Sequence, residues 1–354
     1  MCHSIGGGTG SGLGSLLLQE VRDAYPNRHL VAAAVCPFDV GETPMSLYNS
    51  ALALSFLREH CDATLLFDNS QLLRQLSASA AAPSHSSQPA PRICLSELDA
   101  YLARGLAGLL FPTEGRAGVQ PTDVGELATS LCPAPSLSFL SLHTSPTPAA
   151  SRGSARASSR ETDVSAGTTP WDPIVDSLSN QLPRYDLLSR PVAPLCSLAI
   201  ARGIVPGTAD LRSCMRLASH IGASPIMPRP ISWKLSVSEA TALPSAGARR
   251  TLTLVSNTSA VGPQLGHALE RARLQLDARA YVHQYEKYGV TADFIAERAE
   301  LVQQVVDDYE GVYACSAAAA AAAATSARGE VSRAGAGARA APIASAAPAI
   351  AARQ

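Results

Sequence analysis

A glycine-rich segment near the amino terminus, GGGTGSG at residues 6–12, constrains this chain more than any other feature of its sequence. Glycine has no Cβ, so successive main-chain N–H groups can approach an anion, and the start of a helix adds unpaired donors and a favourable dipole. Leu13, Leu17 and Val21 follow at the spacing of one helix face. The segment therefore predicts a turn that opens a helix and binds phosphate, with a simple tight turn as the alternative.

Known phosphate-binding loops of other kinds fit this segment poorly. No Lys follows the glycines, as a Walker loop requires, and the spacing differs from that of the dinucleotide fingerprint. The chain contains only two lysines, Lys234 and Lys287, which disfavours a stand-alone P-loop NTPase or kinase. The hydroxyls of Thr9 and Ser11 can instead add hydrogen bonds to phosphate oxygens.

The segments after the glycines alternate between helix and strand. Residues 30–35 and 63–67 are short apolar runs typical of buried strands, and a helical pattern between them carries Leu47, Ala51, Leu54 and Leu57. This alternation predicts a parallel α/β sheet. A strand feeding the glycine turn is expected to be absent, because the chain begins only a few residues before it.

The rest of the chain divides by composition. Residues 95–110 are predicted to be helical, and two further helices are predicted within 263–285 and 294–310. Segments rich in Ser, Ala and Pro predict disordered insertions at 77–92 and 144–170, and an Ala/Arg-rich tail predicts disorder at 314–354. The predicted domains are 1–110, 111–260 and 261–313, followed by that tail.

The overall composition excludes several classes of protein. The formal net charge is −1, so no global field attracts nucleic acid or an anionic membrane. No apolar run reaches the ~18 residues of a membrane-spanning helix. The eight cysteines are scattered without a CxxC pair, which favours reduced thiols over disulfides or a metal site. A cytoplasmic globular protein without a metal, nucleic-acid or membrane partner is predicted.

Several separated motifs resemble the tubulin superfamily. They are HSIGGGTGSGLGS at 3–15, YNSAL at 48–52, FDN at 67–69, LVSNT at 254–258 and RAYVHQY at 279–285. The segment HQYEKYG at 283–289 is most similar to the delta branch of that superfamily. The resemblance implies an incomplete Rossmann-type GTPase half, a mixed α/β intermediate domain and a C-terminal helical hairpin, with disordered insertions. It also implies that the opening strands of the family would precede Met1.

The resemblance implies a GTP or GDP site, with Mg²⁺ as a companion of GTP. The residues that would surround the phosphates are Ser4, Gly6, Gly7, Gly8, Thr9, Gly10, Ser11 and Gly12. Glu42 would accept hydrogen bonds from the ribose, although a solvated loop charge is an equal alternative. Asn69 and Asp99 would read guanine, although Asn69 is also a common turn former. At the position of the family's stacking aromatic this chain has Leu95, which offers no π-face.

The resemblance also implies a catalytic residue that acts in trans. Glu126 falls where a glutamate of one subunit orients water at the nucleotide of the next subunit, and only stacking of subunits brings it within reach. The implied partners are other tubulins and microtubule proteins of centrioles and basal bodies, in the cytoskeleton. The alternative function is a nucleotide-free structural or interaction protein that retains the C-terminal helices.

Overall fold

The computed structural model describes residues 1–39, 43–80, 93–115, 118–120, 123–145, 171–203, 210–221, 231–236 and 250–337. The strands are β1 (Cys2–Ser4), β2 (Val31–Cys36), β3 (Ala63–Asp68), β4 (Thr113–Gly115), β5 (Gly118–Gln120), β6 (Phe139–Ser145), β7 (Pro194–Arg202), β8 (Ile231–Ser236) and β9 (Thr251–Thr258). The helices are α1 (Gly14–Ala24), α2 (Ser46–His60), α3 (Asn69–Ala80), α4 (Leu95–Leu110), α5 (Val124–Leu131), α6 (Trp171–Gln181), α7 (Asp210–Ile221), α8 (Val261–Asp277), α9 (Val282–Glu286) and α10 (Ala292–Gly337). A π-helical turn, Thr9–Leu13, leads directly into α1.

One seven-stranded sheet in the order β1-β2-β3-β6-β9-β7-β8 organises the described part of the chain. Strands β1, β2, β3 and β6 run parallel to their neighbours, whereas β9 is antiparallel to both β6 and β7. Strands β4 and β5 form a separate antiparallel pair. The predicted α/β fold with a mainly parallel sheet is confirmed.

Helices cover both faces of this sheet. On one face, α4 packs so closely that a Cβ at Gly105 would lie 2.2 Å from the side chain of Leu142 in β6. On the other face, α6 buries Ile174 and Leu178 with Leu254 of β9. Adjacent residues of a strand point to opposite faces, so both faces of the strands contribute to the core.

The helix α2 forms as its apolar spacing predicts. Ala51, Leu54 and Leu57 are all buried, and Arg58 and His60 fall in its last turn, where cations complement the helix dipole. Helix α2 packs against α8 and α10. The short turn that follows it brings β3 into parallel register with β2.

The start of the chain differs from the sequence prediction. A strand before the glycine turn is not expected, but Cys2–Ser4 form β1 and pair in parallel with Ala33–Val35. The Met1 carbonyl also accepts a hydrogen bond from the Ala33 amide at 2.8 Å. The segment CHS has no apolar run that would reveal a strand, and main-chain pairing with β2 forms it.

The helix after the glycines forms, but its apolar stripe is not its buried face. Leu13, Leu17 and Val21 are 52%, 45% and 40% exposed, whereas Leu18 is fully buried. Leu18 points to the sheet, and Arg22, one turn further, donates to the His60 carbonyl at the end of α2. The stripe therefore lies on the side of α1 that faces away from α2.

The C-terminal helices also differ from their predicted bounds. The first predicted helix ends at Asp277 and a short helix begins at Val282, because Arg279 and Tyr281 adopt positive φ of 50° and 60°. Helix α10 continues through the alanine run to Gly337, where a disordered tail from 314 is predicted. Alanine has the highest helix propensity, which explains the continuation.

The predicted insertions overlap regular structure at their edges. Helix α3 extends to Ala80, into the predicted insertion at 77–92, and β6 ends at Ser145, inside the predicted insertion at 144–170. The rest of each insertion, and the tail beyond Gly337, lies outside the described residues.

Candidate functional site

Three parallel strands end at one edge of the sheet, and each is followed by a predicted site segment. Ser4 pairs with Val35, which pairs with Phe67, so the carboxyl ends of β1, β2 and β3 are level. The glycine turn follows β1, residues 37–39 follow β2, and Asn69 follows β3. Neighbouring strands lie about 4.8 Å apart, which brings these three segments together at the carboxyl edge.

Four hydrogen bonds hold the glycine turn, three with neighbouring segments and one within the turn. The Ile5 amide donates to the Val35 carbonyl at 3.0 Å, and the Asn49 side chain donates to the Gly6 carbonyl at 2.9 Å. The His3 Nδ1 lies 2.8 Å from the Gly10 carbonyl, and the Ser11 hydroxyl donates to the Gly7 carbonyl at 2.8 Å. The turn is therefore fixed before any ligand binds.

Two glycines of the turn are required by packing. A Cβ at Gly10 would lie 1.8 Å from the Ser4 carbonyl oxygen, and a Cβ at Gly6 would lie 2.9 Å from Pro37 Cβ. No side chain fits at Gly10 without moving the main chain.

The other three glycines have no such requirement. A Cβ at Gly7, Gly8 or Gly12 would meet no protein atom within 4 Å, and none of the three has a positive φ. Glycine in a helix costs roughly 1 kcal/mol relative to alanine, so Gly12 lowers the stability of the helix. Side chains are therefore absent from this surface, although the packing of the protein would leave room for them.

The main-chain donors of this surface are accessible. Gly7, Gly8 and Thr9 are exposed, and Gly8 caps the helical turn without a side-chain hydrogen bond. The Ser11 amide donates to the Gly7 carbonyl at 3.0 Å, so the amides of residues 7–10 precede the helical ladder. Such first-turn amides are the donors that helix starts offer to anions.

The remaining predicted site residues occupy different surroundings. Ser4 is exposed at the end of β1, and Asn69 is half-buried at the start of α3, directly after Asp68, whose Oδ1 accepts from the Gln71 amide at 2.9 Å. Asp99 is exposed on α4, and Leu95 at its first turn is 63% exposed. Glu42 lies outside the described residues.

Ser11 has a different environment from Thr9. Its side chain is buried and its hydroxyl is engaged by the Gly7 carbonyl, with the Gly8 carbonyl at 3.5 Å. Thr9 is exposed beside the open amides. Of the two hydroxyls singled out in the sequence, that of Ser11 shapes the turn and that of Thr9 faces solvent.

Glu126 lies at the opposite edge of the sheet. It is exposed in the first turn of α5, where the Asp123 side chain caps the helix by accepting from the Gly125 amide at 2.8 Å. A Cβ at Gly125 would lie 2.7 Å from the ring of His29, which immediately precedes β2. A strand of the length of β2 spans about 20 Å, so Glu126 is remote from the glycine turn of its own chain.

A half-buried ion pair between Arg22 and Asp62 lies at this amino edge. Asp62 accepts from the Leu30 amide at 2.6 Å and from the Arg22 guanidinium at 2.9 Å. Burial alone would raise the pKa of Asp62, but these two donors outweigh it and lower that pKa. The amino edge thus carries fixed carboxylates, whereas the carboxyl edge carries open amides.

His3 and Asn49 support the turn but are not predicted as site residues. Partial burial lowers the pKa of His3, although its hydrogen bond to the Gly10 carbonyl acts in the opposite direction. Asn49 accepts from the Tyr285 hydroxyl at 2.7 Å and so links the turn to α9. Both side chains fall within motifs that mark the resemblance, but their spacing alone gives no signal for this role.

The fold and this edge define an α/β class of protein with a glycine turn at the start of a helix. Residues 1–77 match the Tubulin/FtsZ family, GTPase domain. The tubulin delta chain of Canis lupus familiaris is 24% identical over 86% of this chain and 68% of its own length. The tubulin beta-2 chain of Suillus bovinus is 28% identical over 88% of this chain and 65% of its own length. The chain is therefore similar to tubulins over most of its length, and its first 77 residues resemble their GTPase domain.

The chain spans about two thirds of the length of these relatives, 68% and 65%. In the part of the chain that the structure describes, no helix is both long and apolar enough to span a membrane. The same residues contain no cluster of three or more His, Cys, Asp or Glu side chains arranged to hold a metal ion.

Proposed function

We propose that the carboxyl edge of β1–β3 binds GTP or GDP, with the phosphates at the glycine turn. The observation that carries this proposal is the open surface at Gly7 and Gly8, where no protein atom lies within 4 Å of an added Cβ. A polyphosphate needs close approach to main-chain donors, and these positions allow it. The match to a GTPase domain over residues 1–77 supports guanosine as the nucleoside.

Different residues of the chain would bind the phosphates and the base. The amides of Gly7, Gly8 and Thr9 would donate to phosphate oxygens, and the Thr9 hydroxyl would add a further bond. Asn69 offers both a donor and an acceptor to a base edge. Asp99 can only accept when ionised, which suits the N–H groups of guanine. When bound with GTP, Mg²⁺ would neutralise part of the phosphate charge.

Hydrolysis would require a second subunit. Glu126 lies on the amino edge, so head-to-tail stacking of subunits would place it at the glycine turn of the next subunit. Such a heterologous contact builds filaments when it does not close. The proposed catalytic role of Glu126 is to orient the attacking water in trans.

The proposed cellular role is that of a delta-tubulin-like cytoskeletal protein. It would help to form or stabilise the triplet microtubules of centrioles and basal bodies, with other tubulins and centriolar microtubule proteins as partners. The tubulin delta chain among the relatives supports this choice.

The alternative is a structural or interaction protein that does not bind nucleotide. The exposure of Leu95, 63%, favours it, because this side chain offers no aromatic face to a base. Under this alternative the glycine turn only connects β1 to α1.

Titration of a fluorescent GTP analogue distinguishes the two functions. Saturable binding that unlabelled GTP displaces is expected for the chain, and Gly8→Val is expected to abolish it by placing a branched side chain in the phosphate path. The matched control is Gly311→Val in α10, where an added Cβ also meets no atom within 4 Å. Binding that survives Gly8→Val would refute the phosphate site, and no binding by the folded chain would favour the alternative.

A further inference from the structure

A second cavity lies beneath the carboxyl edge, between the ends of β1–β3 and the helices α2 and α8. Its volume is about 530 Å³, within the range of small-molecule pockets. None of the glycines at 6–12 lines it. Ile5, which precedes the glycines, and Pro37, which lies against Gly6, both line the cavity. The cavity is therefore a separate space from the surface of the glycine turn.

The inner part of this cavity is apolar. The aliphatic and aromatic side chains that line it include Ile5, Phe38, Leu47, Leu54, Leu66 and Leu265. They come from the residue after β1, the segment after β2, α2, β3 and α8, so the space is formed by the packing of distant segments. Ser50 also lines it, and its hydroxyl is buried without a hydrogen-bond partner. An unsatisfied hydroxyl in such a site is a place where a ligand or a water is expected to bind.

The rim of the cavity carries two guanidinium groups around one carboxylate. Arg74 of α3 lies 3.5 Å from the Asp39 carboxylate, and Arg271 of α8 lies 3.9 Å from it. Both distances exceed the roughly 2.7–2.9 Å of a charge-assisted hydrogen bond. By contrast, Arg190 reaches Glu310 at 2.6 and 2.8 Å in a bidentate pair. The arginines of the rim therefore retain donors that Asp39 does not saturate.

The two carboxylates that line the cavity are each held by donors of the protein. Asp68 already accepts from the Gln71 amide at 2.9 Å and from the Gln264 side chain at 3.3 Å. Asp39 is pinned through its main chain, because its amide donates to Ser70 Oγ and its carbonyl accepts from Arg271, both at 2.9 Å. His267 is exposed at the mouth. An incoming carboxylate can share the guanidinium groups without detaching the Asp39 main chain.

From this arrangement we infer that the cavity binds an amphipathic carboxylate of the medium-chain fatty-acid class. The hydrocarbon chain fills the apolar space, and the carboxylate lies between Arg74 and Arg271. Burial of each CH₂ group adds to the affinity, so a chain of this class gains most of its affinity from the apolar wall. The two arginines select the charged headgroup over a neutral one.

The test is a titration of the nucleotide-free chain with decanoate, below the concentration at which it forms micelles, followed by calorimetry. Saturable binding is expected, and decanol, which has the same chain without the charge, is expected to bind at least about tenfold more weakly. No saturable decanoate binding by the folded chain would overturn the proposal. So would decanol binding as tightly as decanoate.

Two variants on one helix separate the arginine at the rim from general effects of charge. Arg271→Gln is expected to weaken decanoate binding about tenfold. The control, Arg273→Gln, removes a side chain of equal exposure, 38% against 37%, which instead contacts Glu300 of α10. Equal effects of the two variants would overturn the site. Should Arg271→Gln unfold the chain, Arg74→Gln gives the same test from α3, since Arg74 is 61% exposed.

A second pair of measurements locates the hydrocarbon chain. Ala268→Leu adds volume inside the cavity and is expected to weaken decanoate binding several-fold relative to the unchanged chain. Its far-ultraviolet circular dichroism spectrum is expected to stay unchanged. Unchanged affinity would place the ligand elsewhere and overturn the proposal. Because these titrations use no nucleotide, their outcome is independent of whether the glycine turn binds GTP.

Discussion

The two edges of the parallel strands carry opposite chemistry. At the carboxyl edge, Gly7, Gly8 and Thr9 present open main-chain donors. At the amino edge, Glu126 is exposed at the start of a helix, and Asp62 is held by Arg22. The difference explains why the proposed phosphate donors and the proposed catalytic carboxylate cannot meet within one copy. It also predicts that activity depends on head-to-tail association.

The largest expected effect separates the two kinds of glycine at the carboxyl edge. Gly10→Ala should destabilise the chain by about 3 kcal/mol or more, because the new Cβ would lie 1.8 Å from the Ser4 carbonyl oxygen. Gly8→Ala should leave the free energy of unfolding unchanged or raise it by about 0.5–1 kcal/mol. Urea denaturation measures both values. Equal destabilisation by the two variants would show that a side chain does not fit at Gly8.

The next effect tests the role of the amino edge. Glu126→Gln should leave stability and nucleotide binding by single subunits unchanged, and lower GTP hydrolysis in assembled protein about 100-fold, as loss of a general base does. Hydrolysis that is independent of protein concentration would contradict a residue acting in trans. The control is Glu300→Gln, a carboxylate on α10 that pairs with Arg273 instead.

A smaller effect is expected for the side chain that ties the turn to the C-terminal helices. Asn49→Ala removes the donor to the Gly6 carbonyl and leaves the Tyr285 hydroxyl without one of its partners. A loss of about 1–2 kcal/mol of stability is expected. Tyr285→Phe should cost less, since the Asn49 donor to Gly6 remains. The reverse order in urea denaturation would show that the turn does not depend on Asn49.

These examples show which parts of the molecule follow from sequence. The glycine turn and the helix α2 depend on residues within a few positions of one another, so local patterns predict them. The pairing of β1 with β2 and the bond from Asn49 to Gly6, 43 residues apart, depend on the packed fold. The exposure of the apolar stripe on α1 also depends on the packed fold. Periodicity shows which residues share a face of a helix, but not whether that face packs against the protein or lies in solvent.

The position of Glu126 shows a second limit of prediction from the sequence. Its motif predicts a carboxylate that acts in trans, and its remote location agrees with that expectation without testing it. The helix through the alanine run is not predicted, because low complexity indicates disorder although alanine favours helix.

A difference in pH dependence is the smallest effect and compares the two edges directly. The pKa of His3 is lowered below 6.5, so the unfolded chain takes up the proton more readily and the stability due to His3 is lost as the pH falls below about 6.5. The pKa of Asp62 is lowered below 3.8, so its contribution is present above that value and is lost only in more acidic solution.

Two variants resolve these windows in denaturation experiments at several pH values. His3→Gln should reduce the slope of stability between about pH 7 and 5, and Asp62→Asn should reduce it only below about pH 4. If the two variants changed the slope over the same pH range, the result would contradict the separate environments of the two edges.

The most direct test of the central claim is nuclear magnetic resonance of the amide-labelled chain during a titration with GDP. If the open amides cradle the phosphates, the signals of Gly7, Gly8 and Thr9 should shift together and saturate, while that of Gly311 stays unchanged. Saturation with no shift at these three amides, or with the largest shifts at the amino edge around Glu126, would contradict the account.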